Sequence, residues 1–153
     1  MRRTTRLAAV GMAGMMLCWM AYGESFGLRM ERELFASVNQ ARQAHGLPAL
    51  RWDPSLAEAA RRHAEVMAEH GSVQHGFAGE PSLSARVKQA GAHFKWLAEN
   101  VFQGPSIEFI HTGFMQSAPH RANILDRDMD SIGVGVVERD RQFFAVEDFS
   151  QAQ

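Results

Sequence analysis

Apolar side chains recur every three or four residues through much of the chain, a spacing that places them on one face of an α-helix. The clearest helix start is Asp53, an N-cap residue followed by Pro54 at the first helical position. From there an apolar stripe continues to Gly71, a residue type that commonly ends helices. Stripes of the same period predict further helices over residues 28–45, 83–90 and 107–114, and a short fifth helical turn after Ser117.

The spacing changes to two near the C-terminal end of the chain. In SIGVGVVE, Ile132, Val134 and Val136 alternate with their neighbours, which is typical of a β-strand. RDRQ can form a turn, and FFAVEDFS returns as a second strand. Because a lone hairpin is only marginally stable, a third strand is expected, and residues 93–103 are the candidate. Helices followed by a hairpin favour an α+β fold, with helices packed on an antiparallel sheet.

The first residues of the chain form a separate feature. Arg2, Arg3 and Arg6 precede an uncharged apolar run over residues 7–22, and small residues flank Tyr22 in Ala21-Tyr22-Gly23. This combination predicts a secretory signal peptide that is cleaved near Gly23. A retained membrane anchor is the alternative, but the uncharged run is shorter than the roughly 20 residues that a spanning helix needs.

The composition is that of a globular protein, with 46% hydrophobic and 22% charged residues. A chain of 153 residues is long enough for one domain with its own core. The formal net charge of −1, more negative once the N-terminal arginines are removed, gives no reason to expect a nucleic-acid partner. The single cysteine, Cys18, lies in the predicted signal peptide. The mature chain is therefore expected to have no disulfide and to depend on packing.

Seven histidines raise the question of a metal site. His63 and His70 lie on one predicted helix, but they are about 10 Å apart along it and cannot share an ion. We interpret both as ordinary helix residues, partly buried or at a helix end. The chain contains no HExxH motif.

Three other residues are better candidates for a functional site. His75 lies in the glycine-bounded loop QHGFAG, and His120 follows a proline that stiffens its approach. Glu99 lies in the apolar run LAENV, where a buried carboxylate needs a partner. Two imidazoles and a carboxylate can form a metal site, a proton-transfer pair or a structural hydrogen-bond network. The spacing leaves these alternatives open, because it does not measure the distances between the side chains.

Five motifs follow one another over residues 31–150: VNQARQAHGLPALRWD, VQHG, LAENV, QSAPHRANIL and SIGVGVV. Together they resemble the CAP superfamily of cysteine-rich secretory proteins, antigen five and pathogenesis-related proteins, and most of all its cysteine-free bacterial secreted branch. The resemblance implies a three-layer α-β-α sandwich, with a central antiparallel sheet and helices on both sides. It also implies that His75, Glu99 and His120 converge in one open cleft, where some family members hold a divalent metal, often zinc.

The chain departs from the family pattern in several places. Ala98 stands where the glutamate motif usually has glycine, which favours a negative φ at this position. Phe114 stands where a tryptophan is usual. The second cleft glutamate of animal members has no clear counterpart, and Glu108 and Glu147 are both candidates.

The expected organisation is a signal peptide over residues 1–23, a lead-in over 24–30, a CAP domain over 31–150 and a tail over 151–153. The expected product is a secreted or periplasmic monomer without a membrane span in the mature chain. Its cleft would bind a small molecule, lipid or peptide, or a divalent metal through His75, Glu99 and His120. If the protein is an enzyme, the same residues would activate water in a hydrolase of peptides or cell-wall material. A non-catalytic structural or interaction module is the remaining alternative.

Overall fold

The computed structural model describes the backbone of residues 13–151 and the side chains from Phe26 onward. Five helices and four strands follow one another along the described residues: α1 (Ala13–Ala44), β1 (Arg51–Trp52), α2 (Pro54–His70), α3 (Leu83–Gln89), β2 (Trp96–Gly104), α4 (Ile107–Gln116), α5 (Ala118–Ile124), β3 (Ser131–Arg139) and β4 (Gln142–Gln151). None of the described helices is long and apolar enough to cross a membrane. Residues 1–12 lie outside the described part, so the signal peptide and its cleavage near Gly23 stay a prediction.

Two helices show how the sequence sets their ends. The Oδ1 atom of Asp53 accepts hydrogen bonds from the backbone of Ser55 and Leu56 at 2.8 and 3.1 Å, as an N-cap should. Gly71 ends α2 in the left-handed region, with φ of 58°. By contrast, α1 begins at Ala13, well before the predicted start at residue 28. The prediction used only the amphipathic turns, and the described part of the uncharged run, from Ala13 onward, is helical as well.

The sheet is built around the C-terminal hairpin that the sequence predicts. The strand order is β1-β3-β4-β2, so β4 lies between its hairpin partner β3 and the edge strand β2. Both of these pairings are antiparallel, and the expected strand within residues 93–103 is confirmed as β2. The two-residue strand β1, which was not predicted, adds to β3 in parallel. Asp140 and Arg141 make the hairpin turn with positive φ values of 52° and 61°, which matches the twist of a tight hairpin.

Helices cover both faces of the sheet, which confirms the α-β-α sandwich. One face carries Val134 and Phe149, and these pack with buried residues of α1, α4 and α5. The other face carries Val101 and Val146, which pack under α2, while a smaller cluster joins α2 to α3. Since side chains alternate along a strand, neighbouring residues of β2 and β4 belong to different layers.

The alternating glycines of SIGVGVV have a packing role. A Cβ atom on Gly133 would lie 2.0 Å from the backbone nitrogen of Ala57, and one on Gly135 would lie 2.3 Å from the carbonyl carbon of Ala60. Both glycines therefore let the backbone of α2 rest directly on β3. Ile132, Val134 and Val136, which alternate with these glycines, pack in the opposite layer.

Two polar residues of α1 connect distant parts of the chain. The Asn39 side chain accepts from the backbone N–H of Leu50 at 2.8 Å and donates to its carbonyl at 3.1 Å. Arg42 is completely buried, yet its guanidinium has no carboxylate partner among the hydrogen bonds it forms. It donates to four backbone carbonyls, those of Pro48, Ile124, Asp126 and Met129. The Arg42 side chain therefore fixes the end of α5 and the following loop against α1. Asn39 and Arg42 are the two polar positions of the Asn-x-x-Arg pattern in the motif VNQARQAHGLPALRWD.

Candidate functional site

The candidate site is built on β2, the edge strand of the sheet. Glu99 and Asn100 are consecutive on this strand, so their side chains point to opposite faces. Glu99 faces α2 and α3, and Asn100 faces α4 and α5. The residue before them, Ala98, lies in regular strand and is not among the described residues with positive φ, as expected.

Glu99 brings one predicted histidine to the strand. Its Oε1 atom lies 2.9 Å from Nδ1 of His75, and its Oε2 atom accepts a hydrogen bond from Arg86. The Glu99 side chain is only 3% exposed, whereas the His75 side chain is 64% exposed. The carboxylate therefore anchors an imidazole that is itself presented to solvent.

A buried polar cluster packs next to the Glu99–His75 pair. Arg86 donates to the backbone carbonyls of His75 and Pro81 at 3.4 and 3.2 Å, in addition to Glu99. His63 is fully buried, with Nδ1 at 2.6 Å from Oε1 of Glu80 and Nε2 at 2.8 Å from the carbonyl of Gln74. Together these contacts hold the loop that carries His75 against α2 and β2.

His120 reaches the same strand from the other face. Its backbone carbonyl accepts from Nδ2 of Asn100 at 3.1 Å, and its ring packs edge-on against Phe114 with centroids 5.2 Å apart. Nδ1 of His120 is buried and has no hydrogen-bond partner among the described residues. Asn123, one helical turn further on, donates to Oδ1 of Asn100 at 2.8 Å. α5 is therefore fastened to β2 by amide side chains.

The two histidines influence each other electrostatically. The hydrogen bond to Glu99 raises the pKa of His75, against the opposing effect of burial. Burial lowers the pKa of His120, and the charge of His75 lowers it further. His75 and His120 are thus close enough to interact electrostatically, although no hydrogen bond joins them among the described residues, and of these two rings Glu99 contacts only that of His75.

Neither candidate for a second cleft glutamate forms a hydrogen bond with His75 or His120 among the described residues. Glu108 is exposed in the first turn of α4. Glu147 is completely buried on β4, where its Oε2 atom accepts from Nδ2 of Asn100 at 2.9 Å and its Oε1 atom has no described partner. Burial raises the pKa of Glu147 to about 8, which means that its neutral form is favoured. Glu147 thus holds the Asn100 amide in place by a hydrogen bond from the neighbouring strand β4.

A second buried acid was missed by sequence reasoning. Asp148 is opposite Glu99 in the β2–β4 pairing and is fully buried. Burial raises the pKa of Asp148 well above its usual value, and the charge of Glu99 adds to the effect. The interpretation of His63 as an ordinary helix residue was also incomplete, because it belongs to the buried cluster. Arg86 carried a usable signal, since it lies three residues after Leu83 on the apolar stripe of α3.

The described residues contain no group of three or more His, Cys, Asp or Glu side chains that could hold a metal ion. Both oxygens of Glu99 are already hydrogen-bonded, to His75 and to Arg86. With Nδ1 of His75 donating to Glu99, the other ring nitrogen, Nε2, is left as the atom that can bind a ligand. The Nε2 atom of the exposed His75 ring is thus available to a ligand, and the Glu99 carboxylate fixes the orientation of that ring.

The fold and these motifs define a CAP domain, and the comparison with known proteins agrees. The model of the CAP, cysteine-rich secretory protein family matches residues 35–149, so the chain belongs to that family. It is 31% identical over 118 residues to the membrane protein YlbC of Bacillus subtilis, which covers 74% of this chain and 32% of YlbC. The chain therefore spans about a third of the length of that relative.

Solved structures show the same fold. An extracellular protein from Bacillus anthracis that contains an SCP domain superposes with a TM-score of 0.79, at 21% identity, over 97% of this chain and 45% of that one. An outer surface protein from Borrelia burgdorferi gives a TM-score of 0.75 at 18% identity, over 82% of this chain and 94% of its own.

Proposed function

We propose that the protein is an extracytoplasmic binding module whose cleft takes a divalent cation, or a small polar ligand, at His75 and His120. The observation that carries the proposal is the contrast between the buried Glu99 carboxylate and the exposed His75 ring that it anchors at 2.9 Å. An imidazole held in one orientation and exposed to solvent is prepared to bind a ligand without further ordering cost. The extracellular and outer-surface proteins of the same fold support the location outside the cytoplasm.

The available nitrogen donors suit a metal of intermediate softness such as zinc. Nε2 of His75 and the ring of His120 would hold the ion, and Glu99 would fix the orientation of His75 from behind, as carboxylates commonly do for ligating histidines. A bound divalent ion would supply a Lewis-acid centre that polarises an oxygen ligand. Because only two imidazoles contribute, about two of the four tetrahedral positions would remain open to an external ligand.

Zinc titration tests the proposal directly. We expect one zinc ion to bind per chain at pH 7.5, and His75→Ala or His120→Ala to weaken binding at least about tenfold. Binding should also weaken at pH 6, because the raised pKa of His75 keeps this ring protonated to higher pH and protons compete with the ion. Isothermal titration calorimetry on the purified protein measures both effects.

The matched controls are His45→Ala and His93→Ala, which remove exposed histidines elsewhere on the surface. Both should bind zinc like the unaltered protein. If all four variants bind equally, zinc is held non-specifically and the imidazole site is wrong. If the unaltered protein binds no zinc at neutral pH, the metal part of the proposal is wrong.

The contact between His75 and Glu99 also favours a second candidate, a hydrolase in which His75 takes a proton from water and Glu99 stabilises the imidazolium. In that case labelled casein or labelled peptidoglycan should be hydrolysed, and His75→Ala should lose the activity while His45→Ala keeps it. The absence of turnover on both substrates by the unaltered protein would rule out this candidate for those bonds.

A further inference from the structure

β2 is an edge strand whose outer side has no paired strand among the described residues. On the side away from β4, no backbone group of the described residues pairs with it. A side-chain amide reaches its backbone instead: Nδ2 of Asn123 contacts the carbonyl of Glu99 at 3.4 Å, a long hydrogen bond. An unpaired strand of this kind is a template for another extended chain.

The strand also lacks the usual protection of sheet edges. Natural edge strands are commonly short, or carry lysine or proline that prevents pairing. β2 is nine residues long, and its sequence WLAENVFQG contains neither. The only charged residue of the strand, Glu99, is buried towards α2 and so does not guard the outer edge.

Exposed aromatic side chains lie at both ends of β2. Trp96 opens the strand and is 63% exposed. Phe109 is 53% exposed and lies over the other end, where its ring would be 2.5 Å from a Cβ atom on Gly104. At about 3.3 Å per residue, the strand between these ends spans about 26 Å. The third exposed large hydrophobic among the described residues, Leu28, is on α1 and away from this edge.

The surroundings of the edge favour a single peptide over a second copy of the chain. The loop of His75 is tied to one face of β2 through Arg86, and α5 is tied to the other through Asn100. A second domain would have to bring its own loop and helix into the same space, whereas one extended peptide would not.

The charged residues near β2 indicate which charges a bound peptide should carry. Lys95 precedes Trp96 and is exposed, and the exposed His75 lies further along the strand, while the exposed acid Glu108 lies next to Phe109. A peptide with carboxylates towards the Trp96 end and without acidic residues at the Phe109 end matches this distribution.

We propose that the outer edge of β2 binds an extended peptide of about eight residues by strand addition, with Trp96 and Phe109 as contacts for apolar side chains at its two ends. The inference rests on the proposed cleft being a binding site, but not on metal binding by the imidazoles. Backbone hydrogen bonds to β2 would supply affinity, and the two aromatic side chains would set the register.

The test uses a library of random twelve-residue peptides displayed on phage, selected against the purified protein in EDTA. The best sequence is then synthesised with a fluorescein label and measured by fluorescence anisotropy. We expect Trp96→Ala and Phe109→Ala each to weaken binding at least about tenfold, as for central aromatic contacts of interfaces. Leu28→Ala, which removes an exposed hydrophobic residue elsewhere, should have no effect.

N-methylation of the peptide backbone gives the second readout. In strand addition only every other peptide N–H faces β2, so N-methyl groups should abolish binding at alternate positions and be tolerated between them. Failure to select any peptide, equal binding by all three variants, or tolerance of N-methyl groups throughout would each overturn the proposal. A concentration-dependent dimer that Trp96→Ala dissociates would also overturn it, in favour of self-association.

Because selection is done in EDTA, the two proposals fail separately. Peptide binding without zinc binding would refute only the imidazole site. Zinc binding without any selected peptide would refute only strand addition.

Discussion

Gly133→Ala is expected to prevent stable folding. The added methyl group would lie 2.0 Å from the backbone nitrogen of Ala57 and 2.2 Å from the carbonyl carbon of Leu56, both in the first turns of α2. Backbone atoms cannot move aside as a flexible side chain can, so α2 would have to lift from the sheet. Ordinary overpacking costs about 1–3 kcal/mol, and we expect at least about 3 kcal/mol here. Circular dichroism during thermal unfolding measures the effect.

Gly76→Ala is the matched control for this substitution. Nothing lies within 4 Å of a Cβ atom placed on Gly76, and its φ is not in the left-handed region. Its melting temperature should therefore stay within a degree or two of the unaltered protein. If Gly133→Ala melts at the same temperature as Gly76→Ala, then α2 does not rest on β3 as closely as described.

Glu147→Gln is expected to change how stability depends on pH. In the unfolded chain this carboxyl loses its proton near its ordinary pKa of 4.5, but burial in the folded protein holds the pKa at about 8. Between these two values the unfolded state therefore binds fewer protons, and stability falls as pH rises. At about 1.4 kcal/mol per pH unit, the loss across the window approaches about 5 kcal/mol. Glutamine cannot ionise, so the variant should lose most of this slope and be more stable at pH 8.

Urea unfolding at pH 5, 6.5 and 8 measures the two slopes. The introduced amide keeps an oxygen that can accept from Asn100, so the fold and the position of α5 should be retained. Some loss of stability with rising pH should persist in the variant, because burial and the neighbouring Glu99 also raise the pKa of Asp148. Equal slopes for the two proteins would mean that Glu147 is not the buried neutral acid described.

Elements with a local cause were predictable from the sequence. Asp53 and Pro54 define the start of α2 through a hydrogen bond to the next turn, and the alternation in SIGVGVV defines β3. Even β2 could be predicted, because a hairpin alone is too small to be stable. The strand β1 was missed because two residues carry no periodicity, and its partners in β3, Ser131 and Ile132, lie far along the chain.

The candidate site was only partly predictable, since its geometry depends on contacts between distant segments. The motifs point to His75, Glu99 and His120; of these Glu99 lies on β2, and the two histidines are hydrogen-bonded to Glu99 and Asn100 of that strand. The sequence did not show that the two histidines are held by different residues of β2, because this depends on which face of the strand each side chain points to. Glu99 contacts His75 on one face, whereas His120 is linked through Asn100 on the other. Two buried acids, Glu147 and Asp148, look like ordinary polar residues of a strand until burial is known.

The position of β4 has a consequence for how the molecule is made. Residues 142–151 are synthesised after every other described element, yet they form the strand that joins β2 to β3. Until they leave the ribosome, β2 has no backbone partner and the two helical layers have no complete sheet to pack on. The domain should therefore not acquire its complete sheet until residues 142–151 have been synthesised.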